Sequence, residues 1–322
     1  MGRITSFYRL DLINNFYGLD SPLRPKLANR RRGLYAGDIP KLWSAMRLAG
    51  LVVLLLLAVP AILAQGQEIH GVFALQGQKP MTDAHLRATP VAGQPLGRRL
   101  DFWMTEPGKS DAIRTYQTEM TKKLHVVMVS SDFKTFLHEH PTLGPDGHLR
   151  MTEAFPHPGT WYVYADGLPK DLNHQVFRFD LEVGSPGSMQ RVLPKTGMGV
   201  QVGPYEVDLS SVRLHSGMMS MLDVSILKDG KPATDLHPYL GSPAHAVFLN
   251  ASDLSYVHVH PMSMDQMSMD MSKDPPPMPE NGPSPSDMML HIALREAGTY
   301  KLWLQFRGGT QLYVAEFTIT AI

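Results

Sequence analysis

Two stretches of the chain carry the same trio of histidines. His125-Val-Val-Met-Val-Ser-Ser-Asp-Phe-Lys-Thr-Phe-Leu-His138-Glu-His140-Pro141 aligns without a gap on His245-Ala-Val-Phe-Leu-Asn-Ala-Ser-Asp-Leu-Ser-Tyr-Val-His258-Val-His260-Pro261. In each copy the two closing histidines alternate along a strand-like run, so both rings point to one face with Cα atoms about 6.5–7 Å apart. A hairpin turning near Ser131–Lys134 brings His125 back to them. Pairing 125 with 140 puts all three rings on one face, whereas pairing 125 with 139 sends His125 to the other. The same arithmetic sets His245 against His258 and His260. Three imidazoles with an open position suit zinc or copper. A lone H-x-H before proline is more often a pair of polar hairpin residues. The trio's recurrence at identical spacing favours a ligand set, although duplication would also preserve imidazoles hydrogen-bonded in a core.

A second donor type lies downstream. Met262, Met264, Met267, Met269 and Met271 are separated only by small, polar or acidic residues, too polar a setting for core packing. Thioethers are soft ligands that favour Cu(I). The competing reading is a low-complexity loop in which methionine has accumulated. Glu119, Asp166 and His157 in the first copy and His291 in the second are further candidate ligands or supporting partners.

The elements that must position these groups read as strands. Pro158-Gly159-Thr160-Trp161 resembles Ala297-Gly298-Thr299-Tyr300, and both copies close on alternating runs, Val176–Val183 and Leu312–Ile319. Short alternating segments such as Tyr205–Leu209 and Leu222–Leu227 are separated by turn residues, Lys228-Asp-Gly-Lys231 being a hairpin signal. The unit of about 120 residues is domain-sized, so the repeat is a domain duplication. The expectation is an all-β chain of two tandem immunoglobulin-like antiparallel β-sandwiches. Residues 65–184 form the first, 185–197 a linker and 198–322 the second, with a flexible, solvated insertion at 262–289. Trp161, Tyr162, Tyr164, Tyr300 and Trp303 are expected in the core.

The chain has 322 residues, 43% hydrophobic and 19% charged, enough for about two domains. Its net charge of zero conceals an asymmetry: residues 1–64 hold nine Lys/Arg against three Asp/Glu, leaving 21 against 27 beyond. The acidic remainder argues against a nucleic-acid binder. All 14 histidines follow residue 64, and the absence of cysteine excludes thiol catalysis, disulfides, iron–sulfur clusters and Cys-ligated zinc or blue copper. No nucleophile elbow, phosphate loop, dinucleotide fingerprint or H-E-x-x-H helix is present.

Met46-Arg47 precedes an apolar run, Leu48–Ala64, that reads as a signal-peptide core. Cleavage after Ala64, with Ala61 as second choice, would start the mature chain near Gln65 and place it in the periplasm or outside the cell. The Arg-rich residues 1–45 suggest a true start at Met46, a twin-arginine signal being the runner-up. An uncleaved segment would instead anchor the chain in the membrane.

The two His trios, each followed by a Gly-Thr-(Trp/Tyr) strand, resemble exported bacterial proteins with immunoglobulin-like modules of the YtkA-like sort, over most of residues 85–322. That resemblance implies heavy-metal or copper handling, maps its histidines onto the two trios, and does not require the Met-rich insertion. The leading expectation is an extracytoplasmic metal-binding protein for copper, as Cu(I) or Cu(II), with zinc the alternative cofactor. It would serve sequestration, delivery or resistance rather than turnover, with a membrane copper transporter or another periplasmic protein as partner. Two other readings are a partner-binding or structural module without metal, and a metalloenzyme with an open His-ligated site.

Overall fold

The computed structural model describes residues 66–195, 197–263 and 276–322. The expected leader and Met264, Met267, Met269 and Met271 lie outside the described residues. Those described form strands and loops, with no helix long and apolar enough to cross a membrane.

The first half contributes β1 (Gln67–His70), β2 (Val72–Phe73), β3 (Asp83–Val91), β4 (Gln94–Thr105), β5 (Leu124–Ser130), β6 (Phe136–Glu139), β7 (Thr142–Leu143), β8 (Leu149–Ala154), β9 (Gly159–Gly167) and β10 (Gln175–Val183). They make two sheets, ordered β1-β3-β4-β8-β7 and β2-β10-β9-β5-β6. The second half contributes β11 (Gly199–Val202), β12 (Tyr205–Leu209), β13 (Arg213–Leu214), β14 (Met219–Lys228), β15 (Lys231–Pro232) and β16 (Leu236–His237). After these come β17 (Ala244–Asn250), β18 (Tyr256–Val259), β19 (Met262–Ser263), β20 (Asp287–Ala293), β21 (Gly298–Gly308) and β22 (Gln311–Ala321). Its sheets run β11-β12-β14-β20-β19 and β13-β22-β21-β17-β18, with β15 and β16 at the side. In both halves the first strand of the His-bearing hairpin pairs with the second-last long strand, β9 or β21, which pairs in turn with the last, β10 or β22, the immunoglobulin-like order.

Each sandwich has its own core, with Trp161 in the first and Tyr300 in the second. A third apolar cluster joins them: Val127, Val129, Tyr162 and Tyr164 pack with Val247, Leu249, Tyr256 and Trp303. Tyr162, Tyr164 and Trp303 therefore pack between the sandwiches, on the strand face opposite Trp161 and Tyr300. Tyr164 stacks on Tyr256 at 4.8 Å, and Trp303 stacks on Phe136 at 5.5 Å. These two pairs exchange under the internal repeat, so the sandwiches meet as two copies do across a two-fold axis. Burying one such side chain contributes roughly 1.5–3 kcal/mol. Both faces of β5 and β17 are covered, and every residue of both strands is buried.

The insertion is shorter than expected. Met262–Ser263 form β19 and pair with Met289 and Met288 of β20, and Met262 is buried. Pairing satisfies backbone groups that a solvated loop would leave to water, so residues 262–263 and 287–289 belong to a sheet.

Candidate metal centre

The hairpin register is the one that gathers each trio. Val126 faces Glu139 and Ala246 faces Val259, which sets His125 opposite His140 and His245 opposite His260. His125 Nδ1 lies 3.2 Å from His138 Nε2 and 3.2 Å from His140 Nε2. In the second copy His245 Nδ1 lies 3.4 Å from His258 Nε2. The trios do not stand apart. The packing of the sandwiches brings them together, with ring centroids 5.1 Å apart for His125–His258 and 5.0 Å for His138–His245. One ring nitrogen each from His125, His138, His245 and His258 lies within 4.8 Å of all the others.

The outward nitrogens fix the tautomers. His125 Nε2 donates to the Glu119 carbonyl and His245 Nε2 to the Tyr239 carbonyl, at 3.3 and 2.9 Å. His138 Nδ1 donates across the interface to Gln305 Oε1 at 3.0 Å, and His258 Nδ1 donates across it to Asp166 Oδ2 at 3.3 Å. With each proton held outward, four lone pairs face one another. Burial, followed by the neighbouring imidazoles, lowers the pKa of His125 to about 4 and those of His138 and His245 well below the ordinary value. Burial likewise lowers His140, to about 2, and His260. These five rings stay neutral at pH 7. Lone pairs at such distances repel unless a cation lies between them, and His260 Nε2 is buried with no hydrogen-bond partner. In a tetrahedral shell with bonds of about 2.0–2.1 Å, adjacent nitrogens lie about 3.3–3.4 Å apart. The His125–His138, His125–His140 and His245–His258 separations match that edge, so the cluster has the donor set, protonation and spacing to hold a metal ion.

Asp166 is itself supported. His174 places Nδ1 at 3.1 Å from Asp166 and Nε2 at 3.4 Å from Glu119. Burial alone would lower the His174 pKa, but hydrogen bonds to the two carboxylates raise it to about 11. Burial would raise Asp166, yet its bonds to His174 and His258 hold it below the usual carboxylate range. The sequence reading missed His174, Gln305 and Tyr239. His174, immediately before β10 and remote from either trio in sequence, gave no spacing signal, while Gln305 could have been found as the repeat counterpart of Asp166. A pocket of about 300 Å³ reaches this second half of the centre, lined by Glu119, Asp166, His174 and His258.

Two candidates lie away from the centre. His157 stacks on Trp161 and contacts Thr135 Oγ1 at 2.9 Å, which makes it a packing residue of the first sandwich. His291 lies on β20, where Nε2 is 3.4 Å from Met289 Sδ. Met262 sits in β19 beside that strand.

The chain belongs to the family described as Domain of unknown function (DUF8832), whose model matches once per sandwich, over residues 79–185 and 200–322. No curated protein matches. Among solved structures, the chicken CNTN1 FN1-FN3 domains are similar at 10% identity, covering 79% of this chain and 90% of that one with a TM-score of 0.18.

Proposed function

We propose that this is an extracytoplasmic copper-binding protein that sequesters or delivers the metal, with one ion held by each trio of a shared six-histidine centre. The observation that carries the reading is the set of four inward lone pairs, each fixed by a hydrogen bond on the opposite ring nitrogen. Such outer partners orient imidazole ligands and raise their basicity. All-imidazole sets suit copper and zinc, and the thioethers downstream tilt the choice toward copper. The apolar segment 48–64 supports export. Metal analysis of protein loaded with Cu(I), Cu(II) or Zn(II) tests this. Two equivalents of copper per chain are expected, retained through dialysis. A single equivalent would mean one ion shared by the trios, and none with any of the three would sink the reading.

The pocket beside His258 favours a second reading, a metalloenzyme with an open coordination position. Azide added to the Cu(II)-loaded chain separates the two. A shifted charge-transfer spectrum marks a position that exogenous ligands reach, and an unchanged one marks a closed storage site.

A further inference from the structure

A second donor cluster occupies the outer face of the sheet β14-β20-β19. Leu222, Met288, Leu290 and Ile292 of that sheet point into the sandwich core. By the two-residue period of a strand, Met219, Met221, Met289 and His291 point the other way. Met221 lies directly opposite His291, and Met262 directly opposite Met289, so their side chains are lateral neighbours on one face. His291 Nε2 already touches Met289 Sδ at 3.4 Å. Met219 and Met221 are 67% and 64% exposed, an unusual use of large apolar side chains on a strand facing water. Asp223, opposite Met289, adds a carboxylate to the same face. Three thioethers and an imidazole on flexible stems form a donor set for a soft cation.

We propose that exposed Met221 and half-buried His291, with buried Met262 and Met289 beside them, form a site on the outer face of this sheet for a soft monovalent cation, Cu(I) or its analogue Ag(I), at the mouth of the pocket that leads to the histidine centre. His291 and Met219 line that pocket together with His258 and Asp166, which gives the surface site a short path inward. The inward transfer rests on the metal reading of the histidines, whereas the surface site stands on its own donors.

The test uses the full chain carrying ¹³C-methyl methionine, with Ag(I) as a redox-inert probe. Met221→Leu and Met289→Leu identify the two methyl resonances, and both are expected to move with Ag(I). The combined Met221→Leu, Met289→Leu, His291→Gln chain should bind Ag(I) roughly 30-fold more weakly in chelator competition, about 2 kcal/mol. Met-to-Leu exchange conserves volume, and Met221→Leu alone, at an exposed position, provides a fold-neutral control. Co(II) absorption reports the histidine centre separately and should be unchanged in all variants. Methyl resonances that stay in place, or an affinity within about threefold of wild type, would overturn the site. If Co(II) fails to bind while the Ag(I) response persists, the surface site stands and the histidine reading falls.

Discussion

The two halves of the histidine centre are built alike and closed differently. Asp166 is the register partner of His125 on β9, and Gln305 is the register partner of His245 on β21. Each reaches across the interface to the other trio. The first trio is thus held by a neutral amide, with Lys122 near enough to disfavour a charge on His140. The second is held by a carboxylate that is tied to His174 and Glu119 and opens on a pocket. Duplication and two-fold packing supply the shared cluster, while one amide-for-carboxylate difference distinguishes its halves. A carboxylate behind an imidazole strengthens it as a donor more than an amide does, so the second half should bind a cation more tightly. The pocket lies on that half, against His258 and Asp166.

The largest expected effect separates the cluster from His174. Unfolded histidines take up a proton near pH 6.5, whereas His125 in the fold does so only near 4, and His138, His140, His245 and His260 also lie low. Below pH 6.5 the unfolded chain therefore binds more protons. Metal-free stability should be full above that pH and fall steeply toward pH 4, with His125 alone accounting for on the order of 3 kcal/mol. His174 acts in the opposite sense: its raised pKa adds stability that is full below pH 6.5 and lost as pH rises toward 11. Melting the chelator-treated chain across pH 4–9 should give a maximum near neutrality. A flat acid limb would mean that the rings are not buried as neutral groups.

Next in size is the clamp between the sandwiches. Trp303 is fully buried between Phe136 and Phe133, from the opposite domain. Trp303→Ala should cost about 3–5 kcal/mol, read by urea unfolding, and should weaken metal binding at both trios because it loosens the packing that joins them. Loss of stability with undiminished metal affinity would show that each trio works without its neighbour.

Much of this was legible from the chain. The spacing of His125, His138 and His140 made a shared face available to a hairpin, but the choice between pairing 125 with 140 and with 139 was settled only by the register of Val126 against Glu139. The tandem sandwich followed from the repeat and the turn residues. The merging of the two trios did not follow, since each trio is contained in its own hairpin and no spacing links one hairpin to the other. A signal was nevertheless present: Leu124–Ser130 and Ala244–Asn250 are almost continuously apolar instead of alternating, the mark of strands covered on both faces. Tyr164 and Trp303 are core residues as their strand alternation implies, but because Trp161 and Tyr300 fill the inner faces, the core they join is the one between the sandwiches. Met262 was misplaced because its polar neighbours suggested a loop, while its strand partner Met289 lies 27 residues further along the sequence.

The smallest effect is also the most specific to the comparison between halves. Asp166→Asn keeps the shape and an acceptor oxygen for His258 but removes the charge, making the second closure resemble the first. Loss of such an outer partner costs about 10–100-fold in metal affinity. The loss should fall on one of two copper equivalents in a competition titration, leaving the other as it was. Gln305→Glu is the converse, expected to tighten the weaker equivalent while the tighter one stays fixed. Together the two exchanges should bring the affinities together and then reverse their order. If Asp166→Asn instead weakens both equivalents alike, the trios share their ions, and the difference between Asp166 and Gln305 acts on the whole cluster rather than on one half.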